Sequence, residues 1–89
     1  MKKILVIGAS ILQLPAIIKA KEMGFKVAVV DYNSKAIAVP YVDEFYNVST
    51  IDKEGVLKVA QNAKIDGIMT LATDMPMRTI AYVAEKMKL

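Results

Sequence analysis

The first third of the chain alternates apolar runs with glycines in the order strand, turn, helix, strand, and this order constrains the fold more than any other feature. Ile4–Ile7 form a continuous apolar run, typical of a parallel strand buried on both faces. Gly8–Ser10 interrupt it, and a second run, Lys26–Val30, ends at Asp31. Between the two runs, Gly24 closes a helix whose apolar residues recur at helical spacing, namely Leu14, Ile17, Ile18 and Met23. The pattern predicts the opening βαβ unit of a doubly wound α/β domain, whose ligands bind at the carboxyl ends of its strands.

The remaining sequence predicts two more strands and two more helices. They are, in chain order, a short strand at Phe45–Val48, a helix at Lys53–Ala63 that Asp52 caps, a strand at Asp66–Leu71, and a final helix with Pro76 in its first turn. The fold class is therefore α/β: a Rossmann-like, three-layer α/β/α domain with a four-stranded, mainly parallel sheet. We expect residues 1–89 to form one such domain.

The end of this pattern leaves two interpretations open. A helix in a parallel sheet normally leads into another strand, and none follows Leu89. Either the sheet is incomplete at its C-terminal end, or the chain is the front part of a longer protein.

The composition excludes several kinds of chemistry. Among its 89 residues the chain has no cysteine and no histidine, which rules out disulfides, a thiol nucleophile, a histidine base and zinc sites with the usual ligands. The formal net charge is +3, but the lysines are scattered without an aromatic platform, so we expect no nucleic-acid partner. No stretch approaches the roughly 18 consecutive apolar residues of a membrane span, and we expect a cytoplasmic protein.

The first candidate site is the turn that follows the first strand. A full dinucleotide fingerprint has glycines at three positions, but here only Gly8 is kept, and Ser10 and Gln13 replace the other two. The backbone amides of this turn could still cradle a phosphate or carboxylate. A tight turn that needs one glycine and binds nothing explains the same residues.

Two further candidates follow later strands. Asp31 ends the second strand, where dinucleotide-binding proteins place a ribose-binding carboxylate, although an Asx turn explains it as well. Thr73 and Asp74 stand between the last strand and the last helix, where Asp74 could meet a substrate ammonium or hydroxyl. One of them could equally be only the helix N-cap. The acidic pair Asp43–Glu44 is expected to be solvated.

Taken together, the chain resembles the N-terminal domain that precedes the ATP-grasp fold, in the form found in proteins like the carbamoyl-phosphate synthase large subunit. The likeness covers nearly all of the 89 residues. It is carried by the following segments, in this order: Lys3–Ser10 with Gln13 and Pro15, Ala20–Phe25, Val29–Asn33, Val42–Tyr46, Ile65–Ile68 and Ala72–Asp74.

The resemblance implies the substrate-side domain of an ATP-dependent carboxylate–amine ligase. In such ligases, further domains hold Mg-ATP, and this domain faces the acceptor substrate. The residues that would bind substrate are Gly8, Ala9, Ser10 and Gln13 in the pocket, Asp31 at its side, and Thr73 and Asp74 close to the substrate. The expected partners are the remaining ATP-grasp domains, in the same chain or a separate one, and a small-molecule substrate. The 89-residue chain would bind no cofactor and catalyse nothing by itself.

Two other functions, each of a different class, remain possible interpretations of the sequence. The chain could be a stand-alone module that binds a small nucleotide or phosphorylated metabolite through the turn at Gly8. It could also be a self-assembling Rossmann-like fragment, because an unfinished sheet edge on a chain with 55% hydrophobic residues favours pairing, for instance as a homodimer.

Overall fold

A computed structural model describes residues 2–70 and 75–89, with side chains in the last segment described from residue 78 onward. The elements alternate as the sequence predicts. They are β1 (Lys3–Ile7), α1 (Leu14–Glu22), β2 (Lys26–Val30), β3 (Glu44–Tyr46), α2 (Lys53–Ala63), β4 (Gly67–Met69) and α3 (Met75–Met87), with one turn of 3-10 helix at Val39–Tyr41.

The four strands form one sheet in the order β3-β2-β1-β4. Every pairing is parallel: Leu5 of β1 lies opposite Ala28 of β2 on one side and Ile68 of β4 on the other, and Val30 lies opposite Tyr46 of β3. The chain therefore builds outward from β1 to β2 and β3, then crosses back to the other side of β1. This reversal is the topological switch point of a doubly wound sheet, and it lies between β1 and β4.

The central strands are buried on both faces, as their continuous apolar sequences predict. Leu5 and Ile7 point to a core that α2 and α3 cover, through residues such as Val56 and Val83. Val6 points to the opposite core, which α1 covers through residues such as Ile17. The three-layer α/β/α arrangement is confirmed, and alternation along each strand supplies both cores.

Helix α1 ends where the glycine predicted it. Gly24 has a φ of +89°, its N–H donates to the Lys21 carbonyl, and the N–H of Phe25 donates to the Ala20 carbonyl. These two bonds form a Schellman cap, which favours glycine at the position of positive φ. Two apolar residues assigned to the helical pattern are exposed, Ile18 at 42% and Met23 at 63%, because the helix turns only one narrow stripe toward the sheet.

Two strands are shorter than predicted. Strand β3 ends at Tyr46 because the N–H of Val48 donates back to the Tyr46 carbonyl and turns the chain out of the sheet. Strand β4 ends at Met69, and the next residue, Thr70, bonds through its side chain instead. Helix α2 has the predicted bounds, and its N-cap is confirmed: the carboxylate of Asp52 accepts the N–H of Gly55 at 3.1 Å.

The acidic pair beside β3 is accessible to solvent, as predicted, since Asp43 is exposed and the Glu44 side chain is 26% exposed, and each carboxylate also has specific partners. Asp43 accepts the N–H of Val27 at 2.8 Å and lies 3.2 Å from the Lys21 ammonium, and these contacts lower the pKa of its carboxyl. Glu44 lies on the same face of β3 as Tyr46, and its carboxylate is 2.6 Å from the Lys3 ammonium. Parallel alignment brings the beginnings of all the strands to one end of the sheet, which spacing along the chain does not reveal.

Candidate functional site

The turn after β1 begins at a glycine that the backbone geometry requires. Gly8 has a φ of +102°, a conformation that L side chains rarely adopt. Its N–H donates to the carbonyl of Val30 at 2.9 Å, at the end of β2. The turn is therefore fixed against the neighbouring strand before helix α1 begins.

Ala9 fastens this turn to the segment that follows β2. Its N–H donates to Oδ2 of Asp31 at 2.8 Å, and its carbonyl accepts the N–H of Ala38 at 2.9 Å. The other oxygen of Asp31 accepts the N–H of Asn33 at 2.9 Å, which is an Asx turn. The structure therefore brings Asp31 beside the glycine turn, and it shows the Asx turn that was the alternative interpretation.

The turn leaves other backbone donors unused. The N–H groups of Gly8 and Ala9 are taken by the end of β2, whereas the structure gives no partner within residues 2–70 and 75–89 to the N–H groups of Ser10 and Ile11. Ser10 is exposed. An anion at this position would meet two free backbone amides in the turn that precedes helix α1.

Gln13 lies under the turn rather than on its surface. Only 2% of the residue is exposed, and a Cβ built on Gly8 would lie 3.5 Å from its Cγ. A glycine at this position in the dinucleotide fingerprint lets helix and strand approach closely. Here the buried amide side chain fills that space.

The end of β4 joins the end of β1 at the switch point. The hydroxyl of Thr70 donates to the carbonyl of Ile7 at 2.8 Å, one residue before Gly8. The segment after β4 therefore starts beside the glycine turn. Thr73 and Asp74, the other predicted site residues, lie outside the described residues.

Sequence reasoning missed a groove on the other side of the turn, between the segments that follow β1 and β2. It is an open groove of about 450 Å³. Its lining is Ser10, Ile11, Asp31, Tyr32, Asn33, Lys35, Ala36 and Ile37. The sequence signal that could have indicated this groove is the presence of large side chains in predicted loops, namely Ile11, Tyr32 and Ile37. In the structure, all three are more than half exposed.

Membrane-spanning helices and clusters of metal-binding side chains are both absent from the described part of the chain. No helix there is long and apolar enough to cross a membrane. Nor does any cluster of three or more acidic side chains there offer a metal site.

The parallel sheet, the switch point and the glycine turn define a Rossmann-like α/β domain with its candidate ligand edge at the ends of β1 and β4. Over residues 4–88, the chain belongs to the family described as PylC-like, N-terminal domain. No curated protein matches it.

Solved structures share the fold. The chain is similar to phosphoribosylglycinamide synthetase from Anaerococcus prevotii, with a TM-score of 0.89 and 24% identity over 99% of this chain and 23% of that one. It is similar to N5-carboxyaminoimidazole ribonucleotide synthetase from Thermotoga maritima, with a TM-score of 0.80 and 26% identity over 97% of this chain and 23% of that one.

A third similar structure is the biotin carboxylase domain of 2-oxoglutarate carboxylase from Hydrogenobacter thermophilus. The TM-score is 0.80 and the identity 20%, over 97% of this chain and 21% of that one. That structure is a dimer in complex with MgADP, ADP and bicarbonate. The chain therefore spans less than a quarter of the length of these three structures. Together with the family match, they confirm the resemblance to the N-terminal domain of ATP-grasp ligases.

Proposed function

We propose that this chain is the substrate-side domain of an ATP-dependent carboxylate–amine ligase, that residues 1–89 form one domain, and that this domain catalyses nothing alone. The observation that carries the proposal is the family match over residues 4–88, and the structural observation beside it is the bond from the Thr70 hydroxyl to the Ile7 carbonyl. It supports a single ligand edge at which the glycine turn and the segment after β4 meet. In doubly wound sheets such an edge is where ligands bind.

The proposed substrate-binding residues act in different ways. Gly8 and Ala9 would contribute backbone, because Ala9 is fully buried and its polar groups are bonded to the segment after β2. Ser10 would present an exposed hydroxyl and a free amide. Asp31 would hold the turn in place from the side, and Gln13 would support it from below. Thr73 and Asp74 are carried over from the family resemblance.

Mg-ATP is assigned to other domains of the complete enzyme. The relative whose structure holds MgADP is more than four times as long as the matched segment, which leaves room for separate nucleotide-binding domains. The partners we propose are those domains, joined in the same chain or supplied by a second one, and a small carboxylate or amine substrate. A cytoplasmic location and a likeness to the carbamoyl-phosphate synthase large subunit belong to the same proposal.

A titration of the ¹⁵N-labelled chain, followed by NMR, tests whether Mg-ATP binds to other domains and not to this one. With Mg-ATP, we expect no saturable change at the amides of Ile7, Gly8 and Thr70 at ligand concentrations up to about 1 mM, which corresponds to about 4 kcal/mol of binding free energy. The same titration with amino acids and small phosphorylated metabolites provides the comparison with Mg-ATP. Saturable Mg-ATP binding at those amides in the micromolar range would overturn the proposal in favour of a stand-alone nucleotide-binding module.

A further inference from the structure

The groove between the segments after β1 and β2 is lined on both sides by apolar side chains that are exposed to solvent. Ile11 is 57% exposed on one side, and Ile37 is 55% exposed on the other. Tyr32, also in the lining, is 75% exposed. Burying these surfaces against the body of a ligand would remove apolar area from water, which favours binding.

Two polar side chains in the groove lining, those of Asp31 and Asn33, accept hydrogen bonds from the backbone of the surrounding loops. Both oxygens of Asp31 accept backbone N–H groups, those of Ala9 and Asn33. The side-chain oxygen of Asn33 accepts the N–H of Lys35 at 3.0 Å. The carboxylate of Asp31 and the amide oxygen of Asn33 are thus partly satisfied by the loop's own backbone, and these bonds offset part of the negative charge of Asp31.

The lining also offers donors to a ligand. The amide NH₂ of Asn33 and the hydroxyl of Ser10 can both donate, and the lining includes the Lys35 ammonium. Lys35 is exposed and has no acidic partner within residues 2–70 and 75–89. A ligand that matches this lining has acceptor oxygens and a negative charge at one end, and an apolar surface at the other.

We propose that this groove binds a small organic anion, a phosphate ester or a carboxylate, whose apolar or aromatic body lies between Ile11 and Ile37 and whose charged group meets Lys35. The groove lies on the β2 side of the glycine turn and shares Ser10 and Asp31 with the proposed substrate-binding residues. The inference therefore rests on the proposed function and extends its substrate site toward β2.

The test is an NMR titration of the ¹⁵N-labelled 89-residue chain with phenyl phosphate, inorganic phosphate and benzoate as separate probes. We expect phenyl phosphate to cause saturable shifts at Ile11, Lys35 and Ile37, and to bind more tightly than inorganic phosphate. Lys35→Ala should weaken binding about fivefold or more, because a charge-assisted hydrogen bond is lost. Ile37→Ser should remove most of the advantage of phenyl phosphate over inorganic phosphate.

The matched control is Lys58→Ala, which removes an exposed lysine from helix α2, on the opposite face of the sheet. It should leave the affinity unchanged, and circular dichroism checks that all variants are folded. Benzoate binding at the same residues extends the ligand class to carboxylates, and its absence restricts the class to phosphates. The proposal is overturned if phenyl phosphate shifts no groove residue, or if Lys35→Ala and Lys58→Ala change its affinity equally.

Discussion

The carboxylate of Asp31 lies 2.8 Å from the amide nitrogen of Ala9, and this contact joins the end of β2 to the turn after β1. Both residues stood among the predicted ligand contacts. The structure shows them bonded to each other, and the Ala9 carbonyl is bonded to Ala38 as well. The glycine turn is therefore a braced structure, whose shape depends on a side chain from the neighbouring strand.

Replacement of Asp31 by asparagine should loosen this brace. The amide retains one oxygen and places an NH₂ group against the other backbone donor, so one of the two bonds is lost. We expect the free energy of unfolding to fall by about 2 kcal/mol, the size typical of a hydrogen bond to a charged group. Urea denaturation measures it, with Glu22→Gln as the control, since Glu22 is an exposed carboxylate on α1. Equal stability of the two variants would show that the brace contributes nothing.

Gly8→Ala should strain the turn. The added methyl group has room, because the nearest atom would be the Cγ of Gln13 at 3.5 Å, but a φ of +102° is unfavourable for alanine. The expected loss in unfolding free energy is about 1–3 kcal/mol. Gly67→Ala is the matched control, because a Cβ there meets nothing within 4 Å and Gly67 is not at positive φ. A loss at Gly67 as large as that at Gly8 would contradict this assignment.

Asp52→Ala should destabilise helix α2 by removing its N-cap. The carboxylate accepts the N–H of Gly55 at 3.1 Å, and loss of such a cap costs about 1 kcal/mol. Asp52→Ser keeps a capping oxygen and should recover most of that loss. Thermal or urea unfolding of the three proteins checks it, and an alanine variant as stable as the original would disprove the capping role.

The stability of the chain should fall in acid, partly because of Glu44. The Lys3 ammonium, followed by the Tyr46 hydroxyl, holds the pKa of Glu44 below its ordinary value of 4.5. The folded state therefore binds this proton more weakly than the unfolded chain does. The resulting stability is fully present above the ordinary pKa and is lost as the pH falls through the lowered one.

Urea midpoints measured from about pH 6 to about pH 3 should show this loss in the original chain and a shallower loss in Glu44→Gln. The variant should also be less stable at neutral pH. Asp43, whose pKa is lowered mainly by its bond to the Val27 N–H, keeps a residual acid dependence in both proteins. Identical pH profiles for the two proteins would rule out the role assigned to Glu44.

Much of the fold could be predicted because local and long-range signals agree. The continuous run Ile4–Ile7 indicated a strand buried on both faces, Gly24 marked the end of α1, and Asp52 marked the beginning of α2. The ends of the strands were harder to predict, because the composition around Val48 is typical of a strand. A backbone bond to the Tyr46 carbonyl, invisible in the sequence, takes it out of the sheet.

The candidate functional site was harder to predict than the fold, because its contacts join residues that are far apart in the chain. Spacing suggested that Asp31 lies near the glycine turn, but it could not show that both carboxylate oxygens are used by backbone amides. The engagement of Glu44 by Lys3 has the same cause, since only the parallel order of strands brings them together. The role of Thr73 and Asp74 remains a prediction.

Sequencing the coding DNA beyond the codon for Leu89 and in the adjoining genes tests whether this domain serves an ATP-grasp ligase. We predict several hundred further codons, which encode first a short strand and then an ATP-grasp pattern, in the same frame or in a neighbouring gene. A stop codon directly after Leu89, with no ATP-grasp gene beside it, would contradict the account.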